Sequence, residues 1–458
     1  MNGDLTKGPV MKTMLRFAVP MILGNLLQQC YNVADTLIVG RFLGPDALAA
    51  VGSAFTLMTF LTSILLGLCM GSGAVFSIRF GQKDFAGLKE SIFTSFLMIS
   101  VICILLNMIA FMGIDPILRF MRVPDEIQGL MHDYLIVIFA GITAVFLYNY
   151  FACLLRAIGN SLVPLIFLAV SALLNIVLDL WFIAGLNLGV TGAAQATILS
   201  QYISGIGIGV YVFKKHLRPR TVPVSRPLPL RPVTWLHRER WPISWSCFKE
   251  IASYSILTCI QQSIMNLGIL MVQGLVNSFG VTVMAAFAVA VKIDAFAYMP
   301  VQDFGNAFSS FIAQNYGAGQ KERIRAGFKG AVTAALIFCL IVSAAIWIFA
   351  RPLMLLFIDS GENAIISEGI RYLHIEGAFY CGIGCLFLLY GLYRALGRPG
   401  MSVVLTILSL GTRVALAYGL SSIPAIGVVG IWWSVPIGWF LADAVGLLYF
   451  KRHFRRIL

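Results

Sequence analysis

Apolar runs of about 20 residues, the length that carries an α-helix across the hydrocarbon of a bilayer, recur along almost the whole of this 458-residue chain. Twelve can be counted, at residues 15–40, 48–78, 91–113, 134–155, 162–184, 190–213, 250–278, 283–314, 327–350, 371–393, 400–420 and 426–450. Lipid offers no hydrogen bond to an exposed peptide group, so such runs are confined to helices whose backbone groups pair internally. The expected fold is an all-α membrane protein with twelve transmembrane helices. Hydrophobic residues make up 59% of the chain and charged residues 12%, against nearly half and about a quarter in soluble proteins, which excludes a soluble multidomain enzyme. The first run contains Pro20 and polar residues and lacks a small-residue cleavage pattern, so it is expected to stay in the protein rather than to be removed as a signal.

A net charge of +13 raises the question of nucleic acid, and the placement of the basic residues answers it. With a cytoplasmic N-terminus, 26 Lys and Arg fall on the inside and only Arg41, Arg119, Arg122, Arg351 and Arg371 outside, leaving Lys292 and Arg413 within spans. That asymmetry follows the positive-inside rule. Both termini are therefore expected in the cytoplasm of a cell whose inner (plasma) membrane holds the chain, with no nucleic-acid partner. The nine cysteines lie mostly in apolar runs, where a thiol packs as a small hydrophobe. Cys381 and Cys385 share a helix face without a histidine nearby, so neither a structural metal nor any cofactor is expected.

The chain repeats itself at an offset of 236 to 238 residues. Leu155-Arg156-Ala157-Ile158-Gly159 matches Tyr393-Arg394-Ala395-Leu396-Gly397, Gly189-Val190-Thr191-Gly192 matches Gly427-Val428-Val429-Gly430, and Phe80-Gly81 matches Tyr316-Gly317. Each repeat carries six spans, an even number, so the expected arrangement is two six-helix bundles related by a pseudo-twofold along the membrane normal, with substrate between them. The expected lobes are residues 1–213 and 248–458, joined by a basic, proline-rich cytoplasmic connector at 214–247.

Polar residues inside the spans mark candidate sites. Asn25, Gln28, Asn32 and Asp35 form one stripe on the first helix; Ser171, Asn175 and Asp179 repeat the device on the fifth, and Thr197, Gln201 and Ser204 share a face of the sixth. A charge at the bilayer centre costs about 2.5 to 3.5 kcal/mol on insertion scales. No Lys or Arg lies at depth in these three spans to neutralise Asp35 or Asp179. Their partner is then a proton or a small metal cation, taken up by Asp35, Asn175, Asp179 and Thr197, with Asn25, Gln28, Asn32 and Gln201 lining a cavity. The second half does not copy this chemistry, since Arg413 and Ala417 stand where Asn175 and Asp179 stand in the first. Its seventh helix offers an uncharged stripe including Gln262 and Asn266, and its buried ionisable residues, Lys292, Asp294, Asp303, Glu376, Arg413 and Asp443, balance in sign well enough to suggest ion pairs. No phosphate loop, metalloprotease motif or nucleophile elbow is present, and no enzymatic activity is expected.

Five segments together resemble the multidrug and toxic compound extrusion (MATE) family over nearly the whole length. They are Val33-Ala34-Asp35-Thr36 leading to Gly40, Asn175-Ile176-Val177-Leu178-Asp179, Gly189-Val190-Thr191-Gly192-Ala193-Ala194, Gln314-Asn315-Tyr316-Gly317-Ala318-Gly319, and the twice-used Arg-Ala-[Ile/Leu]-Gly. The resemblance implies export of small cationic or amphipathic organic compounds, driven by inward proton or sodium flow through alternating access. It places the cation site of the N-terminal lobe on Asp35, Asn175, Asp179 and Thr197, and matches Pro20 to a bending proline of the first helix. A flippase for lipid-linked sugars, of the same superfamily, is the alternative; it would carry a cationic central cavity, whereas the converging charges here are acidic. The partners expected are small-molecule substrates and the bilayer, the chain acting as a monomer.

The orientation has a direct check. In a background without native thiols, Ser225→Cys is expected to resist an impermeant thiol reagent in intact cells and to react in inverted vesicles. Labelling from the outside contradicts it.

Overall fold

The computed structural model describes residues 3–120, 123, 125–217 and 244–453, and no strand occurs among them. Most of the connector, 218–243, lies outside the described residues. The first half contains α1 (Val10–Leu43), α2 (Pro45–Gln82), α3 (Phe85–Met112), the short α4 (Ile114–Phe120), α5 (Asp125–Phe139), α6 (Ile142–Ala157), α7 (Leu162–Asp179) and α8 (Gly189–Val212). The second contains α9 (Trp245–Asn277), α10 (Val281–Gly317), α11 (Lys321–Leu355), α12 (Asn363–Gly377), α13 (Tyr380–Ala395), α14 (Pro399–Ser421) and α15 (Val429–His453).

Among the described residues, ten helices are long and apolar enough to cross a membrane, and two bent pairs, each taken as one span, bring the number to twelve. The pairs correct the fourth and tenth runs, expected as single helices. α5 and α6 meet at 44°, and α12 and α13 at 52°. The breaks, at Ala140-Gly141 and Ala378-Phe379, stand 238 residues apart, so the repeat includes the bend.

Backbone conformation carries the repeat as well. The left-handed residues Gly44 and Gly280, Lys83 and Gly319, Gly159 and Gly397, and Gly189 and Gly427 are pairs of the same register. At Gly159 and Gly397, φ of 84° and 79° follows the last turn of α6 and α13, a helix-ending conformation that a Cβ disfavours. This explains the glycine in each Arg-Ala-[Ile/Leu]-Gly motif. The arginine of the second copy is buried, and Arg394 Nη2 donates to Asn306 Oδ1 at 3.0 Å, tying α13 to α10.

Contacts divide the chain into two compact units. One consists of Met1–Leu26, Ser77–Asp84 and Tyr254–Leu458, the other of Leu27–Phe76 and Phe85–Ser253. α1, α2 and α9 are each cut by this division, at places other than the expected boundaries at 213 and 248. Lipid tails are as apolar as leucine, so helices here associate by close packing rather than by burial from water. In the second unit, Gly205 and Gly209 of α8 meet the Ala144 carbonyl and the Phe151 ring of α6. In the first, Gly391 of α13 lies against the Gly305 carbonyl of α10, and Trp432 is stacked on Phe287 at 5.4 Å between centroids.

Candidate functional site

The helical spacing that gathers the acidic stripe also fixes how α1, α7 and α8 present it. Asn175 and Asp179 are one turn apart on α7, at 2% and 0% exposure, with Ser171 a turn earlier also buried. Asn175 Nδ2 donates to Thr197 Oγ1 of α8 at 3.3 Å. That bond consumes the amide donor and leaves Asn175 Oδ1 without a partner. Asp35 reaches the same spot from α1, near enough to Asp179 for the two carboxyls to act on each other. Both oxygens of Asp179 and Oδ1 of Asp35 are buried without a hydrogen-bond donor. The four residues singled out in the sequence thus converge, and the buried atoms left without a partner among them are all carbonyl or carboxylate oxygens. A set of buried oxygens with no donor is what a proton or a hard cation completes.

Immediately after Asp179 the helix widens into a π-helical turn, Leu180–Gly185, in which Leu186 N donates to Trp181 O at 2.9 Å across five residues. Such turns recur at functional sites. Two tyrosines escaped sequence analysis: Tyr31 of α1 and Tyr134 of α5 both face the carboxyl pair, and the Tyr31 hydroxyl pairs with Gln201. Tyr31 lies four residues before Asp35, and this helical spacing could have pointed to it. Tyr134 sits on a helix with no polar stripe and gave no signal.

The remaining stripe residues are dispersed. Gln28 is exposed, while Asn32, Gln201, Gln262 and Asn266 are half-buried; it is Gln261, not its neighbour Gln262, that α9 buries. Asn25 does more than line a space, because its Nδ2 donates to Asp303 Oδ1 of α10 at 2.5 Å. α1 remains helical through Pro20.

The C-terminal polar residues form a second cluster, but not the ion pairs expected from their signs. Asp294 accepts from the Tyr380 hydroxyl at 2.7 Å. Glu376 is 1% exposed and its Oε1 has no partner, nor has Nε of Arg413. No opposite charge stands within 4.0 Å of Asp294, Glu376, Arg413, Lys292 or Asp443 among the described residues. Arg413 acts on Asp294 and Glu376 only from a distance. Lys292 is exposed, and Asp443 is buried on α15. A balance of charges along a sequence does not bring them into contact. Among the described residues no group of three or more His, Cys, Asp or Glu gathers as a metal site.

Comparison with known proteins gives this geometry a context. The MatE family model matches residues 20–181 and 255–419. A probable multidrug resistance protein of Bacillus subtilis (strain 168), YpnP, is 29% identical over 450 residues, covering 98% of this chain and 96% of that protein. Crystal structures of MATE in the bent and the straight conformation superpose with TM-scores of 0.89 and 0.87. Each is 25% identical and covers 100% of this chain and 98% of the other.

A stability measurement separates this site from an ordinary buried polar pair. A buried acceptor left unsatisfied costs about 1 to 3 kcal/mol, and more when charged. Asp179→Asn keeps the shape and removes the potential charge, so its thermal midpoint in detergent is expected to equal or exceed that of the unaltered protein. A clear fall would reveal a stabilising partner for the carboxyl.

Proposed function

This chain belongs to the MatE family, with both of its halves matched, and on that footing we propose that it is a secondary active antiporter, exporting small cationic or amphipathic organic compounds in exchange for protons or sodium by alternating access. It is a multi-pass membrane protein. In this reading, residues 1–213 and 248–458 act as the two lobes, and 26 of the 33 Lys and Arg lie on the cytoplasmic side of a cell inner membrane, as do both termini. The name of the Bacillus subtilis relative supports an organic substrate. The observation that carries the coupling is the pair Asp35 of α1 and Asp179 of α7: Asp179 is fully buried, and its two oxygens and Oδ1 of Asp35 are without a hydrogen-bond donor.

The mechanism follows from what those groups lack. With the site empty, two carboxyls crowd one low-dielectric spot, and ionising both is costly. Uptake of a proton or a sodium ion removes that cost and lets α1 and α7 pack differently. The ion's energy is about 2.3 kcal/mol per charge for each 100 mV of membrane potential, which shifts a two-state equilibrium by more than tenfold. Asn175 and Thr197 hold each other in place and offer oxygens to the incoming ion. A ligand moves the protein only by favouring one arrangement over the other, so drug and cation must prefer different ones.

Reconstituted vesicles test this. Dye export driven by an imposed proton or sodium gradient is expected in the unaltered protein and should fall to the level of empty vesicles in Asp35→Asn and in Asp179→Asn at equal protein content. Unaltered export in both variants would remove the coupling site.

A hinge in α1 is part of the same proposal. Pro20 lacks the N–H that would bond the preceding turn, which weakens the helix fifteen residues before Asp35. The bent and straight conformations of the similar MATE structure lend support. Pro20→Ala is expected to leave the half-saturating dye concentration within about twofold while turnover drops about tenfold, with the residual rate indifferent to pH. Unchanged turnover and pH dependence would make the proline a passive kink.

A further inference from the structure

The close of α2 and the close of α10 are repeat partners, Phe80-Gly81 and Tyr316-Gly317, and in the structure they meet each other. Residues Ser77–Asp84 belong to the same compact unit as α10. A Cβ added to Gly81 would overlap the carbonyl of Gln314, and one added to Gly317 would overlap the carbonyl of Ile78. Gln314 is the repeat counterpart of Ile78. The contact is therefore reciprocal: each helix lays its glycine on the carbonyl three residues before the other's glycine. Because backbone meets backbone, no rotamer change could make room for a methyl group.

One side of this crossing carries a strap. Gln314 Oε1 accepts from Leu5 N at 3.0 Å, and Asn315 Nδ2 donates to Leu5 O at 3.3 Å. Arg323, two residues into α11, donates to Gly8 O at 2.6 Å, to Leu5 O at 3.1 Å and to Asn315 Oδ1 at 3.0 Å. Leu5, Gln314 and Asn315 are buried at 2%, 0% and 0% exposure. The repeat offers Ile78 where Gln314 stands, and isoleucine has no group to hold a backbone amide, so the strap has no twin on the other helix.

We propose that Gly81 and Gly317 position the closed state of a gate on the side of the membrane that bears the N-terminus, that Arg323 locks it through the Leu5–Gly8 strap, and that each transport cycle parts and re-forms the crossing. The proposal rests on the transport reading and adds residues remote from the acidic site. The contact suits a gate for two reasons. It is small and made of main chain, so parting it exposes few side chains. It also lies between repeat-related helices, so two equivalent motions open it. Hydrogen bonds from one arginine to strap carbonyls break without leaving a carboxylate stranded.

The test uses spin-label distances between Lys83→Cys and Lys321→Cys on a cysteine-free full chain, together with dye turnover in vesicles. Gly81→Ala and Gly317→Ala are each expected to lengthen the distance and to cut turnover about tenfold, with the half-saturating dye concentration within about twofold. Gly52→Ala, at a position on α2 with open space around it, should change neither. Arg323→Gln keeps both glycines of the crossing and should lengthen the distance in part of the population. If both glycine variants keep the short distance and full turnover, the proposal is overturned. Should the alanine variants fail to reach the membrane, an unchanged distance in Arg323→Gln overturns it instead. The distances are read without any substrate, so a chain that moves no dye refutes the transport reading while leaving the gate open to judgement by its geometry.

Discussion

A carboxyl group inside hydrocarbon has to find a donor, a cation or a proton, and Asp179 has none of the first among its neighbours. The arrangement of α1, α7 and α8 follows from that requirement. Three otherwise apolar helices turn their polar faces to one place. Asn175 donates to Thr197, and a π-helical turn follows directly on the acid. A lysine or arginine paired with the carboxyl would satisfy it permanently, and among the described residues none stands beside it.

Much of this is legible in the sequence, because membrane spans make polar residues conspicuous. Asp35, Asn175, Asp179 and Thr197 stand out against leucine and valine at helical spacing, and they do come together. Tyr31 and Tyr134 were not legible to the same degree, since an amphipathic ring fits an interface, a core or a site equally well. The bend between α5 and α6, and its copy between α12 and α13, escaped for a different reason. Hydropathy counts apolar residues without recording direction, and neither break contains a proline to announce it. The bond between Asn25 and Asp303 joins residues 278 apart in the chain, a distance over which helical periodicity says nothing. The missing ion pairs around Asp294, Glu376 and Arg413 show the same limit, because sign is written in the sequence and separation is not.

The two halves share backbone geometry far more than chemistry. Left-handed residues, span breaks and the Arg-Ala-[Ile/Leu]-Gly motif all recur, whereas Asn175 and Asp179 of α7 become Arg413 and Ala417 in α14. Backbone turns are dictated by the need to cross and recross a slab of fixed thickness, and both halves face the same slab. Side chains at depth are free to specialise: the first half sets two carboxyls, Asp35 and Asp179, against each other, and the second places Asp294 against a tyrosine.

The register between the halves also records how such a chain is able to change length. The offset is 236 residues at Gly44 and Gly280, at Lys83 and Gly319 and at the Gly81 crossing, yet 238 from α5 and α12 onward. The two additional residues of the second half therefore fall between Gly319 and Asn363, where the first half runs from Lys83 to Asp125. One residue gained within an α-helix would have rotated everything beyond it by about 100°, turning polar stripes towards lipid.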